Sequence, residues 1–214
     1  MDQNIFKDIY FKRCQLALTA LKANGFEVLY ADNSKEALDK VMSLIPKEAK
    51  VGVGGSVTVR DIGLVEAIER QGNTIFMDWE KPIELKEKIK VRKEALTSDI
   101  YLTSSNAITF QGQLVNIDGT GNRVSAMIFG PKKVIIVAGV NKLVDTLDEA
   151  LARTKNITSP LIGKRLNLKA PCVLTGKCTD CNSPDRMCRV TVILEKKPRL
   201  SDITIVLVGE NLGY

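Results

Sequence analysis

Apolar positions along the chain recur with two alternating periods, and each predicts an element. Ile5, Ile9, Leu16 and Leu21 repeat at helical spacing over residues 5–24, and Gly25 follows where a left-handed helix end is expected. FEVLYA (26–31) has the pattern of a strand, and Asn33 with Glu36 forms a capping box for a helix that stops before Pro46. KVGVGG (50–55) is a buried strand running into a glycine turn; 58–71 then predicts a helix, 73–79 a strand and 82–96 an amphipathic helix. SDIYLTSSN (98–106) is a strand entering a polar turn, and GQLVNIDGTGN (112–122) a short strand and a glycine turn. KKVIIVAG (132–139) is almost continuously apolar, which predicts a central strand buried on both faces. Residues 143–156 predict a helix. From 157 to 188 the pattern is interrupted by Pro160, Gly163, Pro171, Gly176 and Pro184, and RVTVILEKK (189–197) and ITIVLVGE (203–210) return to strand patterning.

Alternating strands and helices imply an α/β fold of three layers, a mainly parallel sheet with helices on both faces. The last two strands, with no helix between them, predict a late β-hairpin or an addition at the sheet edge. The chain has 214 residues, which suits one domain (1–214) carrying an N-terminal helix at 5–24 and a cysteine-rich insertion at about 157–188.

Composition narrows the function classes. The net charge is +6, but Lys86, Lys88, Lys90, Arg92 and Lys93 alternate with Glu84, Glu87 and Glu94, which is a solvated helix face rather than a phosphate-tracking stripe. With six Phe, four Tyr and no RNA-binding aromatic motif, nucleic acid is not an expected partner. Histidine is absent, so a Ser-His-Asp triad, a Cys-His dyad and His-ligated zinc are excluded. Proton transfer has to use a carboxylate, Lys, Cys, Tyr or water. The N-terminus MDQNIFKDIYFKRC lacks the pattern of a signal peptide and no apolar run is long enough for a bilayer, so a cytoplasmic protein with no membrane partner is expected. Five cysteines in a reducing compartment favour thiols or metal ligands over disulfides.

Three segments concentrate the chemistry. In Val51–Thr58 a strand meets Gly54 and Gly55, then Ser56 and Thr58, with Arg60 in the following helical turn. Such a turn lets an anion approach backbone N–H groups; it also serves simply as a strand-to-helix connection capped by Ser56. It matches neither nucleotide-binding glycine motif. In the middle of the chain Thr103, Ser104, Ser105 and Asn106 precede Asn116, Asp118 and Arg123, a density of amides and hydroxyls greater than turns require. These residues predict a pocket for a small polar anion, with Arg123 as the carboxylate or phosphate fork. Finally, Cys172, Cys178, Cys181 and Cys188 follow the pattern C-x5-C-x2-C-x6-C. Four thiolates suit zinc or an iron–sulfur cluster equally well by count, with Lys177, Arg186 and Arg189 close by to favour the thiolates; unligated thiols or a redox disulfide at Cys178 and Cys181 are the alternative. Cys14, alone on a helix face, reads as a small packed hydrophobe.

The segments VGVGGSVTVRDIG (51–63), SDIYLTSSNAITFQGQLVNIDGTGNRVSAMIFGPKKVIIVAGVNKLV (98–144) and PCVLTGKCTDCNSPDRMC (171–188) together resemble the LUD-domain family, the lactate-utilisation proteins. The resemblance spans nearly the whole chain and implies a fold similar to glucosamine-phosphate and ribose-phosphate isomerases and CoA transferases. In several of those proteins the loop matching Gly54, Gly55 and Ser56 faces the substrate. One position departs from the pattern: Gln111 stands where related proteins often carry an acidic residue, and an amide serves neither as nucleophile nor as base. The resemblance implies a redox-linked protein of organic-acid metabolism that binds a small anionic metabolite. It tilts the cysteine site toward a [4Fe–4S] cluster over zinc, and implies redox partners carrying iron–sulfur or flavin groups. A homo-oligomer stays open. Two other readings remain beside it: a non-redox isomerase or transferase acting on a phosphorylated or CoA-linked substrate, with structural zinc, and a non-catalytic accessory subunit.

Overall fold

The computed structural model describes residues 3–79 and 83–214. Six strands form one parallel sheet: β1 (Glu27–Ala31), β2 (Val51–Val53), β3 (Ile75–Phe76), β4 (Ile100–Thr103), β7 (Lys133–Gly139) and β10 (Asp202–Val208), in the order β1-β10-β7-β4-β2-β3. A second sheet of four strands contains β5 (Ala107–Thr109), β6 (Leu114–Asp118), β8 (Leu143–Val144) and β9 (Val190–Leu194), in the order β8-β5-β6-β9.

Side-chain alternation along the central strands builds two cores. Val134, Ile136 and Ala138 of β7, with Ile203, Ile205 and Leu207 of β10, face α1 (Gln3–Ala23) and the inner side of the second sheet. Ile135 and Val137, with Val206 and Val208, face α2 (Ser34–Ser43), α3 (Val57–Asp61) and α4 (Leu64–Gln71). The helix α5 (Leu85–Leu96) joins the first core through Ala95; of the helix expected over 82–96, residue 82 lies outside the described residues. The helix α6 (Asn122–Ile128), not anticipated from the pattern, places Ala126 and Met127 in the same core. Covering the outer side of the second sheet is α7 (Leu147–Arg153), with Ala150 against Ala107 and Val115.

The three-layer α/β architecture is therefore as expected, with two local corrections. First, the last two strands do not form a hairpin. β10 lies parallel between β1 and β7, whereas β9 pairs antiparallel with β6 in the other sheet. The reason is burial: six of the seven residues of β10 are buried, which only a central strand satisfies, while β9 alternates and suits a half-exposed edge. Second, residues 143–144 are a strand, and the helix capped by Thr146 continues past 156. A π turn (Thr154–Thr158) leads directly into α8 (Ser159–Arg165), with Pro160 in its first turn. The wider turn accommodates the missing proline N–H, and the Ser159 hydroxyl donates to the Thr154 carbonyl at 2.9 Å. Only beyond Arg165 does the irregular cysteine-bearing segment begin, with the short α9 (Pro171–Thr175).

Candidate functional site

The chain leaves the parallel sheet at Thr103, the end of β4, and enters the second sheet at Ala107, the start of β5. The polar run Thr103–Asn106 is this crossing, at the carboxyl end of a parallel strand where α/β folds place their ligands. Backbone that changes sheets loses its ladder partners, and here the adjacent side chains replace them. Asn116 accepts from the Asn106 N–H at 3.1 Å, its amide donates to Ser105 at 3.1 Å, and the Asn106 amide oxygen accepts from the Ile117 N–H at 2.9 Å.

Arg123 locks the crossing from α6. One terminal nitrogen donates to the Ser104 carbonyl (3.0 Å) and to Asn116 (2.8 Å), the other to Asn106 (3.0 Å) and the Ile117 carbonyl (2.7 Å), with Asp118 3.7 Å from Nε. Asp118 in turn accepts from the N–H groups of Thr120 and Gly121, shaping the turn into α6. The guanidinium's terminal nitrogens thus meet internal acceptors, a scaffold role beyond the fork expected from the sequence. Position 111 is likewise remote: Gln111 sits in the turn between β5 and β6, its carbonyl accepts from Asn24 after α1, and it lines neither cavity described below. Its departure from the acidic pattern does not touch this site.

Two adjoining cavities open here. The inner recess, ≈ 50 Å³, is lined by Gly55, Ser56, Thr58, Thr103–Asn106, Arg123, Lys142, Arg165 and Tyr214, with Val57 and Ile162. A single water needs about 10–15 Å³ of such space, so the recess holds a group of a few heavy atoms. It opens beside a cleft of ≈ 860 Å³ that shares Gly55, Arg123, Ile162 and Arg165 and adds Arg60, Trp79, Lys88, Arg92, Asp118 and residues 184–187. Of the anion-binding residues expected from the sequence, Gly55, Ser56, Thr58, Asn106 and Arg123 line the recess and Arg60 and Asp118 the cleft. Gly54 and Asn116 line neither. Gly54 packs against Tyr101 and Thr103, and Asn116 is fully buried. Ser56 is the N-cap of the five-residue α3, accepting from the Val59 N–H at 3.2 Å.

Three recess residues escaped the sequence reading. Arg165 from α8 donates to the Gly55 carbonyl from both terminal nitrogens (3.2 and 3.1 Å), and its guanidinium lies 5.8 Å from the centre of the Tyr214 ring. Its Nε is buried with no partner among the described residues. Lys142, on a helical turn after β7, is 2 % exposed and donates to the Tyr214 carbonyl at 2.6 Å. Burial, then the charges of Arg153 and Arg123, bring its amine down to about 7, with Asp61 opposing. The only signal in the sequence was a lysine directly after the central apolar strand; Arg165 lay in a stretch read as irregular.

The cysteine loop walls the cleft through Pro184–Met187, and the backbone and side chain of Met187 pack on Gly119. Cys172, Cys178, Cys181 and Cys188 are free, half-buried thiols. Burial, then the neighbouring Cys181, Cys178 and Cys188, push the Cys172 thiol up. The Asp180 N–H, at a left-handed φ of 46°, donates to Cys178 Sγ at 3.4 Å. Arg186 donates to the Cys181 and Cys188 carbonyls and to Asp180, and the hydrogen bond to Asp180, then the charge of Cys188, push its own value up, so its charge reaches the thiols as expected; Arg189 donates to the Pro184 and Arg186 carbonyls. Among the described residues, no three Cys, Asp or Glu side chains are disposed to hold one metal ion. Cys14 is buried in the first core, and burial pushes its thiol up to about 12, which suits an inert packed residue.

A three-layer α/β protein with a cationic, hydroxyl-lined recess where the chain crosses between its sheets is thereby defined. The chain belongs to the LUD domain family, whose model matches residues 14–208. No curated protein matches it. Among solved structures, a DUF162 family protein from Deinococcus radiodurans is similar in fold, with a TM-score of 0.55 and 12 % identity over 93 % of this chain and 98 % of that one. Among the described residues, no helix is long and apolar enough to cross a membrane.

Proposed function

We propose that the chain is a redox-linked protein of organic-acid metabolism that binds a small hydroxy or keto acid in the recess. The observation that carries this is the lining itself: Lys142 and Arg165 stand among the hydroxyls of Ser56, Thr58, Thr103, Ser104 and Ser105, and no Asp or Glu side chain joins them. An anion supplies both the missing charge and an acceptor for the unpartnered Arg165 Nε–H. Family membership supports lactate-type substrates. Thermal-shift and calorimetric titration with lactate, pyruvate and phosphate test it: stabilisation by the two carboxylates, lost in Arg165→Gln, is expected. No response to any small anion would overturn it.

The four cysteines belong to the same proposal as the metal site. Four thiolates from one loop suit an iron–sulfur cluster or zinc in donor chemistry, and the mutual repulsion felt at Cys172 is the kind that a bound cation relieves. Bringing the sulfurs round one centre requires the loop to tighten. A [4Fe–4S] cluster held there would supply one-electron chemistry beside the cleft, for exchange with an iron–sulfur or flavin partner. Iron, sulfide and zinc determination on anaerobically purified protein checks this, with Cys178→Ser expected to lose the metal. Zinc without sulfide would make the loop a structural staple, and absence of any metal would leave it a cleft wall only.

The outer cleft favours a second reading. Arg60 stacks on Trp79 with its guanidinium 4.7 Å from the ring centre, and Lys88 lines the same wall, which suits a phosphorylated or CoA-linked substrate. Stabilisation by sugar phosphates or acyl-CoA, with none by small carboxylates, would select it.

A further inference from the structure

A small acid seated in the recess leaves the outer cleft empty. At ≈ 860 Å³ the cleft matches the larger of the cavities that enclose small ligands, which run from about 300 to 1,000 Å³. Its two walls differ in character. On one side stand Arg60 of α3, Trp79 after β3, and Lys88 and Arg92 of α5. On the other stand Leu166 and Leu168, which follow α8, with Pro184 and Met187 of the cysteine loop. The turn from β6 to α6 joins them: Arg92 donates to the Thr120 hydroxyl at 3.1 Å, and Met187 packs on Gly119.

Charge in the cleft is unbalanced. Among the described residues, six cationic side chains and three carboxylates line it. All three carboxylates are already engaged: Asp78 with Arg92 at 2.6 Å, Asp118 with the N–H groups of Thr120 and Gly121, and Asp185 with the Lys169 N–H at 2.8 Å. Arg60 is held 4.7 Å from the centre of the Trp79 ring, a contact that orients a guanidinium without consuming its N–H fork. A fork and an ammonium on one wall recognise phosphate oxygens. The facing wall offers leucine, proline and a polarisable thioether, which suit the face of a flat ring. A ligand with phosphates at one end and a flat ring at the other satisfies both walls, whereas a sugar phosphate satisfies only the first.

We propose that the outer cleft is a separate site for a nucleoside diphosphate, free or as part of a larger cofactor, and that its occupation leaves the recess open to the small acid. The diphosphate meets Arg60 and Lys88, and the base lies along Leu168 and Met187. Arg60 and Lys88 line the cleft alone, while the hydroxyls of Thr58, Thr103, Ser104 and Ser105 line the recess alone, so the two ligands use different groups. Arg165, common to both cavities, stands at their junction. The proposal rests on the reading of the cleft as a phosphate-binding surface and adds the nucleoside and the independence of the two cavities.

Trp79 is the one tryptophan of the chain, and it lines the cleft and not the recess, so its emission reports on the cleft. The intact protein is titrated with ADP, GDP, pyrophosphate and ribose 5-phosphate, followed by Trp79 emission and calorimetry, each with and without saturating lactate. A change in Trp79 emission with ADP or GDP is expected, unaltered by lactate, with binding about tenfold or more tighter than that of pyrophosphate or the sugar phosphate. Arg60→Gln and Lys88→Gln should each weaken it roughly tenfold. Tighter binding of NAD, FAD or coenzyme A than of ADP would support the site and identify the larger ligand that carries the diphosphate. Equal binding of nucleotide, pyrophosphate and sugar phosphate overturns the nucleoside and leaves the phosphate reading standing. Competition by lactate overturns the independence of the cavities. No response to any phosphate compound overturns both the proposal and the phosphate reading. The titrations on unsubstituted protein decide these outcomes, so the conclusion does not depend on the folding of the variants.

Discussion

At the scale of single residues, two buried cations have opposite characters. Arg123 is bonded on every side and holds the sheet crossing together. Arg123→Met would remove four buried charge-assisted hydrogen bonds, to the Ser104 and Ile117 carbonyls and to the Asn106 and Asn116 amide oxygens, so stability should fall by about 3–5 kcal/mol in denaturant melts, with Arg123→Lys failing to restore it. Lys142 is the reverse, a residue whose burial costs stability. Its folded value of about 7 lies below its unfolded value, so between the two the unfolded chain binds more protons. The penalty is therefore fully present below about pH 7 and fades as the pH rises toward the ordinary lysine range. Lys142→Met should stabilise the ligand-free protein at pH 6 by an amount on the order of 1–3 kcal/mol after loss of the Tyr214 hydrogen bond, read from denaturant melts, and the gain should shrink by pH 10.

At the scale of elements, the site depends on how the second sheet is tethered to the first core. The β5–β6 turn docks on α1 through Gly112, at φ 79°, where a Cβ would come within 2.8 Å of the Ala20 and Leu21 backbone. Gly112→Ala combines a strained backbone with a clash against a rigid helix and should cost about 2–4 kcal/mol. Gln111 is part of the same docking turn, and it lines neither cavity. The π turn at Thr154–Thr158 is the other decisive element. It carries the helix past Pro160 and delivers Arg165 to the recess, and Arg153, just before it, donates to the Asn106 carbonyl at 2.6 Å.

At the scale of the molecule, stability and chemistry are segregated. β7 and β10 are paired on both sides and buried on both faces, whereas residues 166–189 contain one five-residue helix and no strand. Hydrogen exchange should accordingly be slowest in β7 and β10 and fastest in the cysteine loop, with protection of that loop rising if the four thiols take up metal. Equal protection of loop and central strands in metal-free protein would contradict this division.

Much of the fold was legible in the sequence because buried strands and amphipathic helices impose local periods. KKVIIVAG announced a central strand, and Asn33 with Glu36 announced the start of α2; both are present. The family resemblance carried by residues 51–63, 98–144 and 171–188 was equally local, a matter of consecutive residues. Partners distant in the chain were not legible. That ITIVLV inserts between β1 and β7 while VTVIL joins another sheet depends on which edges are vacant once the rest has folded. That Arg123 meets internal acceptors and Lys142 and Arg165 share a recess depends on contacts spanning up to 110 residues, such as that from Arg165 to Gly55. Residue order determined which chemical groups this protein carries and the local shapes they favour; only the packing of α6, α8 and the turn after β7 around one sheet crossing decided which of those groups meet, because desolvation and charge act through space and not along the chain.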